Sequence, residues 1–345
     1  MRFLAVFLLM SLILGGTAIA PASDFPGYTA ATVCDSEKSL EEYPDLAKAG
    51  ELSLLVPGLK EDWIPQGITW LEEQGWFLFA GYHTDEHMAS ALIAVDAESG
   101  AVVKSVRLRN MDGSLYTGHA GGVCATGKDI YVANNHRLYR LSMDKFLSLP
   151  EQAYCAFEQE IPVPNNASYC SYADGVLWVG EFQYGTSYKT DASHRLRLGK
   201  DTMQAWLCGY ILQDGEFSEH ALSVGSPAVP DVIFETTERI QGMTMQQGQV
   251  WLSQSYGRKT PSILYRFDDP RAKDPDMHTT VSGQEVPVWF LLNDRLAGMM
   301  ICPPMTECLC TAHDEVYVLF ESAAQKYMDP SNASTSPMDR IVRIK

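Results

Sequence analysis

A cryptic repeat constrains the fold of this chain more than any other feature of its sequence. Each copy joins a run containing small residues to a strand-like stretch that carries an aromatic residue. The five copies are residues 65–69 with 75–78, 120–123 with 130–132, 167–170 with 176–179, 240–244 with 250–252, and 306–309 with 316–318. Repeats of about 40–50 residues that each hold several short strands are typical of a β-propeller, in which one copy forms one blade. We therefore predict an all-β propeller of five four-stranded blades.

The third and fourth strands of each blade follow the repeated segments. In the first four blades they are predicted at residues 92–96 and 102–106, 138–141 and 157–163, 207–212 and 217–224, and 262–267 and 286–292. The last copy lacks a fourth strand, because the chain ends with residues 340–345. Residues 51–56 precede the first copy and are predicted to pair with the last strand. This pairing would close the ring and leave no sheet edge open.

The domain organisation follows from this ring. Residues 51–345 are predicted to form a single propeller domain, and residues 21–50 a leader segment outside it, with a short helix near residues 40–49. An alternative of six blades stays open, because residues 182–237 form a segment long enough to hide another blade.

The first 20 residues read as a signal peptide. Arg2 precedes an apolar run over residues 3–14 and small residues up to Ala20, with cleavage after Ala20 or Ala22. The apolar run is shorter than the roughly 20 residues of a membrane span, although an uncleaved anchor is the alternative. We therefore predict a secreted or periplasmic protein that has no stable membrane insertion after cleavage.

The cysteine count fits that compartment. All eight cysteines follow the signal peptide, and an even number in an oxidising compartment permits up to four disulfides. Cys308 and Cys310 would share one face of a strand, which allows a metal or redox motif as well as ordinary packing in the blade.

The charge of the chain limits its partners. The net charge is −17, and such an acidic surface repels nucleic acid and anionic membranes. The sequence has no Gly-rich nucleotide loop and no Gly-x-Ser-x-Gly nucleophile motif, so neither a nucleotide cofactor nor a serine hydrolase is predicted. The expected partner is a small-molecule, glycan or protein ligand.

Polar residues recur where a propeller has its channel mouth. The first strand of each blade lines the channel, so the starts of the first strands and the ends of the second strands lie on one face. The starts carry Gln66, His119, Ser168, Gln241 and Glu307, and the ends carry His83, Asn134, Asn135, Glu181, Gln254 and Glu321. We predict a ligand-binding site at this mouth. The alternative is that these groups bond to neighbouring blades or hold water.

Two long loops are expected on the same face, at residues 182–204 and 322–339. The first loop is aromatic and basic, a mixture suited to an anionic or sugar-like ligand, and Tyr184 is the contact chosen from it. In the first blade, residues 83–87 read His-Thr-Asp-Glu-His. This cluster offers ligands for a transition metal, although it also fits a solvated loop.

Two short motifs resemble known propeller families. The hairpin with Val95-Asp96, Ser99-Gly100 and Val102-Val103 resembles the YVTN-type repeat of secreted bacterial propellers. Pro65-Gln66-Gly67-Ile68 resembles the blade openings of the NHL, gluconolactonase and strictosidine synthase-like propellers. The resemblance implies a secreted propeller, and the enzymes among these families are mostly six-bladed with a central calcium ion.

The leading functional hypothesis is a binding module that holds a small or extended ligand at the channel mouth. The competing hypothesis is a metal-dependent hydrolase of the lactonase or esterase type. In that hypothesis Glu181, Glu307 and Glu321 hold a divalent cation such as calcium, and His119 acts as general base. The catalytic candidates are therefore His119, Glu181 and Glu307, while Gln66, Asn134 and Gln241 would complete the cation site. A third hypothesis is a protein-interaction platform.

Overall fold

The computed structural model describes residues 27–217, 222 and 227–345. The predicted signal peptide lies outside the described residues. These described residues form three short α-helices, four 3-10 turns and 25 strands, with the α-helices at α1 (Ser36–Glu41), α2 (Pro44–Ala49) and α3 (Met143–Ser148). Within the described part of the chain, no helix is long and apolar enough to cross a membrane.

The strands form five blades of four antiparallel strands each. The first two blades contain β2 (Trp63–Leu71), β3 (Trp76–His83), β4 (Ala91–Asp96) and β5 (Val102–Arg109), then β6 (Gly122–Ala125), β7 (Asp129–Asn134), β8 (Arg137–Ser142) and β10 (Gln159–Pro162). The third and fourth contain β11 (Ala167–Ala173), β12 (Val176–Glu181), β15 (Ala205–Ile211) and β16 (Val232–Thr236), then β17 (Ile240–Gln246), β18 (Gln249–Gln254), β19 (Ser262–Asp268) and β22 (Leu296–Cys302). The fifth contains β23 (Thr306–Ala312), β24 (Glu315–Phe320), β25 (Arg340–Ile344) and β1 (Gly50–Leu55).

The inner strands close a ring. Strands β2, β6, β11, β17 and β23 each contact the inner strand of the next blade, and β23 contacts β2 to complete the circle. The prediction of five blades is confirmed, and the alternative of six does not hold. The segment proposed to hide a sixth blade instead holds a two-stranded hairpin, β13 (Arg197–Leu198) and β14 (Asp201–Thr202), and strands of the third blade.

The two ends of the chain close the last blade, as predicted. Strand β1 pairs antiparallel with β25, with Gly50 opposite Ile344 and Leu52 opposite Val342. The leader segment is held to the C-terminal end by the buried carboxylate of Asp339, which accepts hydrogen bonds from Val33 N at 2.7 Å and from the Ser36 hydroxyl at 2.6 Å. Both ends of the domain therefore depend on one another for their position.

Two predicted fourth strands are wrong. Residues 286–292 were expected in the fourth blade, but β21 (Gln284–Phe290) pairs in parallel with β16 and, with β20 (Met277–Val281), extends the third blade. The fourth blade is completed by β22. Residues 217–224 were expected in the third blade, where β16 takes that place; residues 218–221 and 223–224 of this segment lie outside the described part. Every residue of β16 is buried, so both faces of this strand are covered by other parts of the fold. Such a strand lacks the alternation of apolar and polar residues that marks a half-exposed strand in a sequence.

A similar extension occurs in the first blade, where β9 (Gln152–Ala156) pairs in parallel with β5. Strand β9 follows α3 in the connection between β8 and β10. It covers the outer edge of the blade, which leaves fewer open hydrogen-bonding groups for edge-to-edge association.

Glycines allow the inner strands to approach each other closely. A β-carbon built on Gly122 would lie 2.4 Å from the backbone nitrogen of Cys170 in the next blade, and one on Gly67 would lie 2.5 Å from Val123 N. At Gly242 the corresponding distance to the Cys308 α-carbon is 2.5 Å. No side chain fits at these separations, so glycine sets how tightly the blades pack around the channel.

The cysteines do not form the disulfides that their even number permitted. All eight are free thiols, and all except Cys34 are buried. Cys34 lies outside the strands, Cys308 and Cys310 share β23, and the other five lie on five different strands. Some of them contact backbone carbonyls; Cys170 Sγ lies 3.7 Å from the Tyr131 oxygen and Cys308 Sγ 3.6 Å from the Gln241 oxygen. Burial in apolar surroundings raises the pKa of Cys308 and Cys310, which does not fit the reactive pair considered from their spacing.

Candidate functional site

An irregularity recurs at the start of the inner strand pair in four blades. The register between the first two strands shifts at Gln66 in the first blade, at Ser168 in the third and at Gln241 in the fourth. The fifth blade shows the same shift between Thr306 and Leu309, the stretch that contains Glu307. A β-bulge of this kind adds one residue to a strand and re-aims its side chain. Here the added residues point toward the channel.

The second blade departs from this pattern. Gly122 pairs with Ala133 and Gly121 N donates to the same residue's oxygen, so Gly121 occupies the position that His119 was predicted to hold. A β-carbon on Gly121 would meet the Ser168 carbonyl oxygen at 2.2 Å. His119 still reaches the channel mouth, but it does so from the segment that precedes the strand.

These residues surround a cavity of about 590 Å³ at the channel mouth. Its lining consists of Gln66, Tyr82, His119, Gly121, Asn134, Asn135, Asn166, Ala167, Ser168, Phe182, Tyr188, Gln241, Ser255, Tyr256, Gly257, Arg258, Met305, Glu307, Glu321, Lys326 and Tyr327. The structure therefore brings together most of the side chains chosen from the sequence. Four of the chosen residues, His83, Glu181, Tyr184 and Gln254, lie outside the lining.

Two carboxyl groups meet in this cavity. Glu307 is 2% exposed and is hydrogen-bonded to Glu321. Gln241 Nε2 donates to Glu307 Oε1 at 3.2 Å, and Gln66 Nε2 donates to Glu321 Oε2 at 2.9 Å. Burial and the neighbouring carboxylate raise the pKa of Glu307 well above its usual range, and burial raises the pKa of Glu321 to about 7. The pair therefore holds at least one proton near neutral pH.

Aromatic and basic side chains stand beside the carboxyl pair. The Tyr82 and His119 rings stack with centroids 4.4 Å apart, and the Lys326 ammonium lies 5.6 Å from the Tyr82 ring centroid. The Tyr327 side chain lies beside both Tyr82 and Glu321. Tyr82, Tyr327 and Lys326 thus connect the carboxyl pair to one wall of the cavity.

The imidazole of His119 is expected to stay neutral over the physiological pH range. Burial, assisted by the positive charge of Lys326, lowers the pKa of His119 from 6.5 to about 4. Titration followed by ¹H–¹⁵N NMR, with the signal assigned by comparison with His119→Gln, should give a midpoint near pH 4. A midpoint at the ordinary histidine value would contradict this environment. The role of general base predicted for His119 fits poorly with such a weakly basic ring.

Aromatic rings from two loops form the outer rim of the cavity. Phe182 contacts Tyr188 and Tyr256, with ring centroids 5.3 and 6.1 Å away. Tyr184 stacks on Tyr256 at 3.8 Å but lies outside the cavity lining. Tyr188 is 51% exposed, and backbone hydrogen bonds link it to Tyr184 in both directions. Side chains on the first long loop therefore reach the mouth, as expected from its position after the second strand.

Glu181 belongs to a separate buried network. Its Oε1 accepts hydrogen bonds from Asn166 N and from His194 Nδ1, both at 3.0 Å, and its Oε2 accepts one from Trp206 N at 3.0 Å. The His194 ring stacks on Trp206 with centroids 3.8 Å apart. Both carboxylate oxygens are thus occupied in anchoring the first long loop to the third blade, which explains why Glu181 does not join Glu307 and Glu321.

A second buried carboxyl group lies in this network. Glu235 is fully buried, and its Oε1 accepts hydrogen bonds from Trp206 Nε1 at 2.9 Å and Leu196 N at 3.3 Å. Burial raises the pKa of Glu235 to about 8. This glutamate was not chosen from the sequence, because a single carboxylate in a short apolar strand carries no recognisable motif.

The remaining two predicted residues have local partners. His83 contacts the Tyr28 hydroxyl at 3.2 Å. Gln254 donates to the Glu238 carbonyl at 2.8 Å and accepts from the Tyr265 hydroxyl at 3.1 Å. These contacts match the alternative considered from the sequence, in which some polar strand ends bond within the fold.

The donor set does not fit the predicted cation site. Across the described residues, no three His, Cys, Asp or Glu side chains are grouped so that they would hold a metal ion, and this includes the His83–His87 segment. At the carboxyl pair, Gln66 and Gln241 present their amide nitrogens rather than their oxygens. A calcium site needs about six to eight oxygen ligands. Two carboxyl groups that share a proton do not supply them.

Several lining residues were missed in the sequence. Tyr82, Ser255 and Tyr256 lie at or just beyond the ends of second strands, so their alignment with Asn134 and Asn135 was the available signal. Asn166 directly precedes the inner strand β11, two residues before Ser168. Lys326 and Tyr327 belong to the second long loop, residues 322–339, which was expected on this face, although neither residue was chosen from it. Arg258 follows β18 in a connection that carries no recognisable motif.

Comparison with known proteins identifies no family for this chain. No protein family matches the sequence, and no curated protein matches it either. Among solved structures, glutaminyl cyclase from Myxococcus xanthus is similar with a TM-score of 0.43 at 13% identity, covering 86% of this chain and 95% of that one. A GH43_1 enzyme from Xanthomonas citri, complexed with xylose, has a TM-score of 0.43 at 12% identity, and the match covers 89% of this chain and 92% of that one. BamB from Moraxella catarrhalis has a TM-score of 0.32 at 11% identity, and the match covers 81% of this chain and 82% of that one.

Proposed function

We propose that this chain is a binding protein for a neutral, polyhydroxylated ligand of the saccharide class, held in the cavity at the channel mouth. The observation that carries the proposal is the composition of the lining. Seven neutral amide or hydroxyl side chains surround the cavity together with aromatic rings, and the seven are Gln66, Asn134, Asn135, Asn166, Ser168, Gln241 and Ser255. Amide groups both donate and accept hydrogen bonds, as sugar hydroxyl groups do.

The charges in the cavity favour a neutral ligand. The carboxyl pair holds at least one proton, so it contributes at most about one negative charge near neutral pH. Lys326 and Arg258 add positive charge to the lining, and His119 is neutral there. These charges sum to about one positive charge, and Lys326 and Arg258 lie over the rings of Tyr82 and Tyr327. The lining therefore forms neither a strong anion site nor a strong cation site.

The size and the aromatic walls favour the same class. A volume of about 590 Å³ lies within the range of roughly 300–1,000 Å³ that small-molecule sites occupy. Sugar rings present an apolar face of C–H groups that is buried favourably against an aromatic ring. Tyr188 and Tyr256 offer such ring faces at the rim, while the side chains of Gln66 and Asn134 are buried.

Replacing Tyr188 by alanine should weaken saccharide binding about tenfold. The reason is that a stacking contact is worth roughly 1 kcal/mol beyond the area it buries. Saturation-transfer NMR on D-glucose, D-galactose, D-xylose, N-acetyl-D-glucosamine, maltose and cellobiose would identify a binder, and isothermal calorimetry would give its affinity. Tyr172→Ala is the matched control, because Tyr172 lines a separate, smaller cavity formed by other segments of the inner strands. Absence of binding across the panel would overturn the proposal.

We place the protein outside the cytoplasm, in the periplasm or the medium. This part of the proposal rests on the signal-peptide pattern of residues 1–20. Neither nucleic acid nor a membrane is a proposed partner. Expression of the full chain, followed by cell fractionation and mass measurement of the exported product, tests this location. A product that retains residues 1–20 and stays in the cytoplasm would contradict it.

A further inference from the structure

The carboxyl pair formed by Glu307 and Glu321 has a geometry that simple ligand binding does not require. Two carboxyl groups in hydrogen-bond contact cannot both ionise readily, so they share a proton. One carboxyl is then an acid and the other a base, at a single point of the cavity. The amides of Gln66 and Gln241 each hold one carboxyl in place.

This contact separates the pair from the usual glycosidase arrangement. Hydrolysis of a glycosidic bond uses carboxyl groups about 5–5.5 Å apart when configuration is retained and about 6.5–9.5 Å apart when it is inverted. Glu307 and Glu321 are hydrogen-bonded to each other, which leaves no room between them for a sugar carbon or for an attacking water. The pair is not placed to cleave a glycosidic bond by either route.

A reaction that suits a contacting acid and base moves two protons at neighbouring oxygens. A reducing sugar in its ring form has such oxygens, because its anomeric hydroxyl and its ring oxygen are bonded to the same carbon. We propose that Glu307 and Glu321 catalyse the interconversion of the α and β anomers of a reducing sugar bound in the cavity. This inference rests on the proposed saccharide binding.

The step balances without a further reactant. The ionised carboxylate accepts the proton of the anomeric hydroxyl, the C1–O1 bond becomes a carbonyl, and the bond from C1 to the ring oxygen breaks with its electron pair going to that oxygen. The protonated carboxyl donates its proton to the ring oxygen. The pair has gained one proton and given one away, so it ends with the proton on the other carboxyl. Rotation about the C1–C2 bond and the reverse step give the second anomer.

The surrounding groups keep the pair ready for this exchange. Besides Gln66 and Gln241, Tyr327 lies beside Glu321, and Lys326 places a positive charge near Glu321 that favours its ionised form. A group of this kind with a pKa of about 7 passes a proton in either direction near neutral pH, which is the condition for efficient general acid–base catalysis. His119 is neutral at that pH, so its ring does not compete as a general acid.

The test follows the approach to anomeric equilibrium by NMR after freshly dissolved α-D-glucose, α-D-galactose and α-D-xylose are mixed with the full-length protein. We expect at least one sugar to equilibrate faster than in buffer, in proportion to protein concentration. Glu307→Gln and Glu321→Gln should each lower the protein-dependent rate by about 100-fold or more while saturation-transfer NMR still detects the bound sugar. Glu285→Gln, an exposed glutamate outside the cavity, should leave the rate unchanged.

Each other outcome has a defined meaning. A sugar that binds without faster equilibration overturns this inference and leaves the proposed binding intact, whereas absence of binding overturns both. Acceleration that survives both glutamine substitutions assigns the chemistry elsewhere and also overturns the inference. If the glutamine variants fail to fold by thermal melting, the wild-type protein still gives an answer. The methyl glycoside of the reactive sugar, which cannot open its ring, must compete for the site and suppress the protein-dependent rate.

Discussion

Gly122→Ala should lower the free energy of unfolding by about 3 kcal/mol, at the upper end of the usual cost of overpacking. The added methyl group would lie 2.4 Å from the Cys170 backbone nitrogen and 2.8 Å from the Tyr169 α-carbon, and backbone atoms do not move aside as a flexible side chain does. The second and third blades would have to separate. Urea denaturation followed by tryptophan fluorescence measures the change.

The matched control is Gly298→Ala on the outer strand β22. Its β-carbon would first meet the flexible end of Arg266 at 3.2 Å, so a change within about 1 kcal/mol is expected from glycine-to-alanine backbone effects alone. Equal stability of Gly122→Ala and wild type would show that the ring tolerates a wider spacing between blades.

Glu235→Gln should make the free energy of unfolding much less sensitive to a rise in pH from 5 to 8. The folded-state pKa of Glu235, about 8, lies above its ordinary value of 4.5, because burial disfavours the charged form. Its contribution to stability is complete below pH 4.5, falls as the unfolded chain loses its proton above that pH, and is lost as pH rises through about 8. Between pH 5 and 8 the wild type should lose roughly 4 kcal/mol from this group relative to the variant.

Urea denaturation of both proteins at pH 5, 6, 7 and 8 gives the comparison. The amide of glutamine keeps an oxygen that accepts from Trp206 Nε1, so the variant should match the wild type more closely at pH 5 than at pH 8. Glu285→Gln, at an exposed position, should give a curve parallel to that of the wild type. Parallel curves for Glu235→Gln and wild type would mean that Glu235 is ionised in the folded protein.

The sequence predicted the architecture because the information is local and repeated. Each blade begins with the same kind of strand pair, and the missing strand of the last blade points to residues near the start of the chain. The sequence-based prediction placed β21 in the wrong blade, because a strand of seven residues with several apolar side chains fits either of two blades. Which blade it joins is decided by the exposed edge of β16, and that edge exists only after the third blade has formed.

The candidate site was predicted in part for a related reason. Gln66, Ser168, Gln241 and Glu307 occupy corresponding positions in their blades, so aligning the repeats places them around one mouth. Glu181 and Glu321 both stand at the end of the second strand of their blades. The carboxylate of Glu181 is bound by His194 and Trp206, however, whereas the carboxyl group of Glu321 contacts Glu307. Side chains outside the repeated segments decide which partner each glutamate has, and the repeat pattern does not predict their positions.

The pairing of β1 with β25 imposes an order on folding. Strand β1 is among the first parts of the propeller to be synthesised, and its partner is completed only with the last residues of the chain. Until then the fifth blade lacks one strand, and the first and fifth inner strands have no closed ring to hold them together. Residues 340–344 therefore join β1 to the rest of the fifth blade, and deleting them should loosen the blade that carries Glu307.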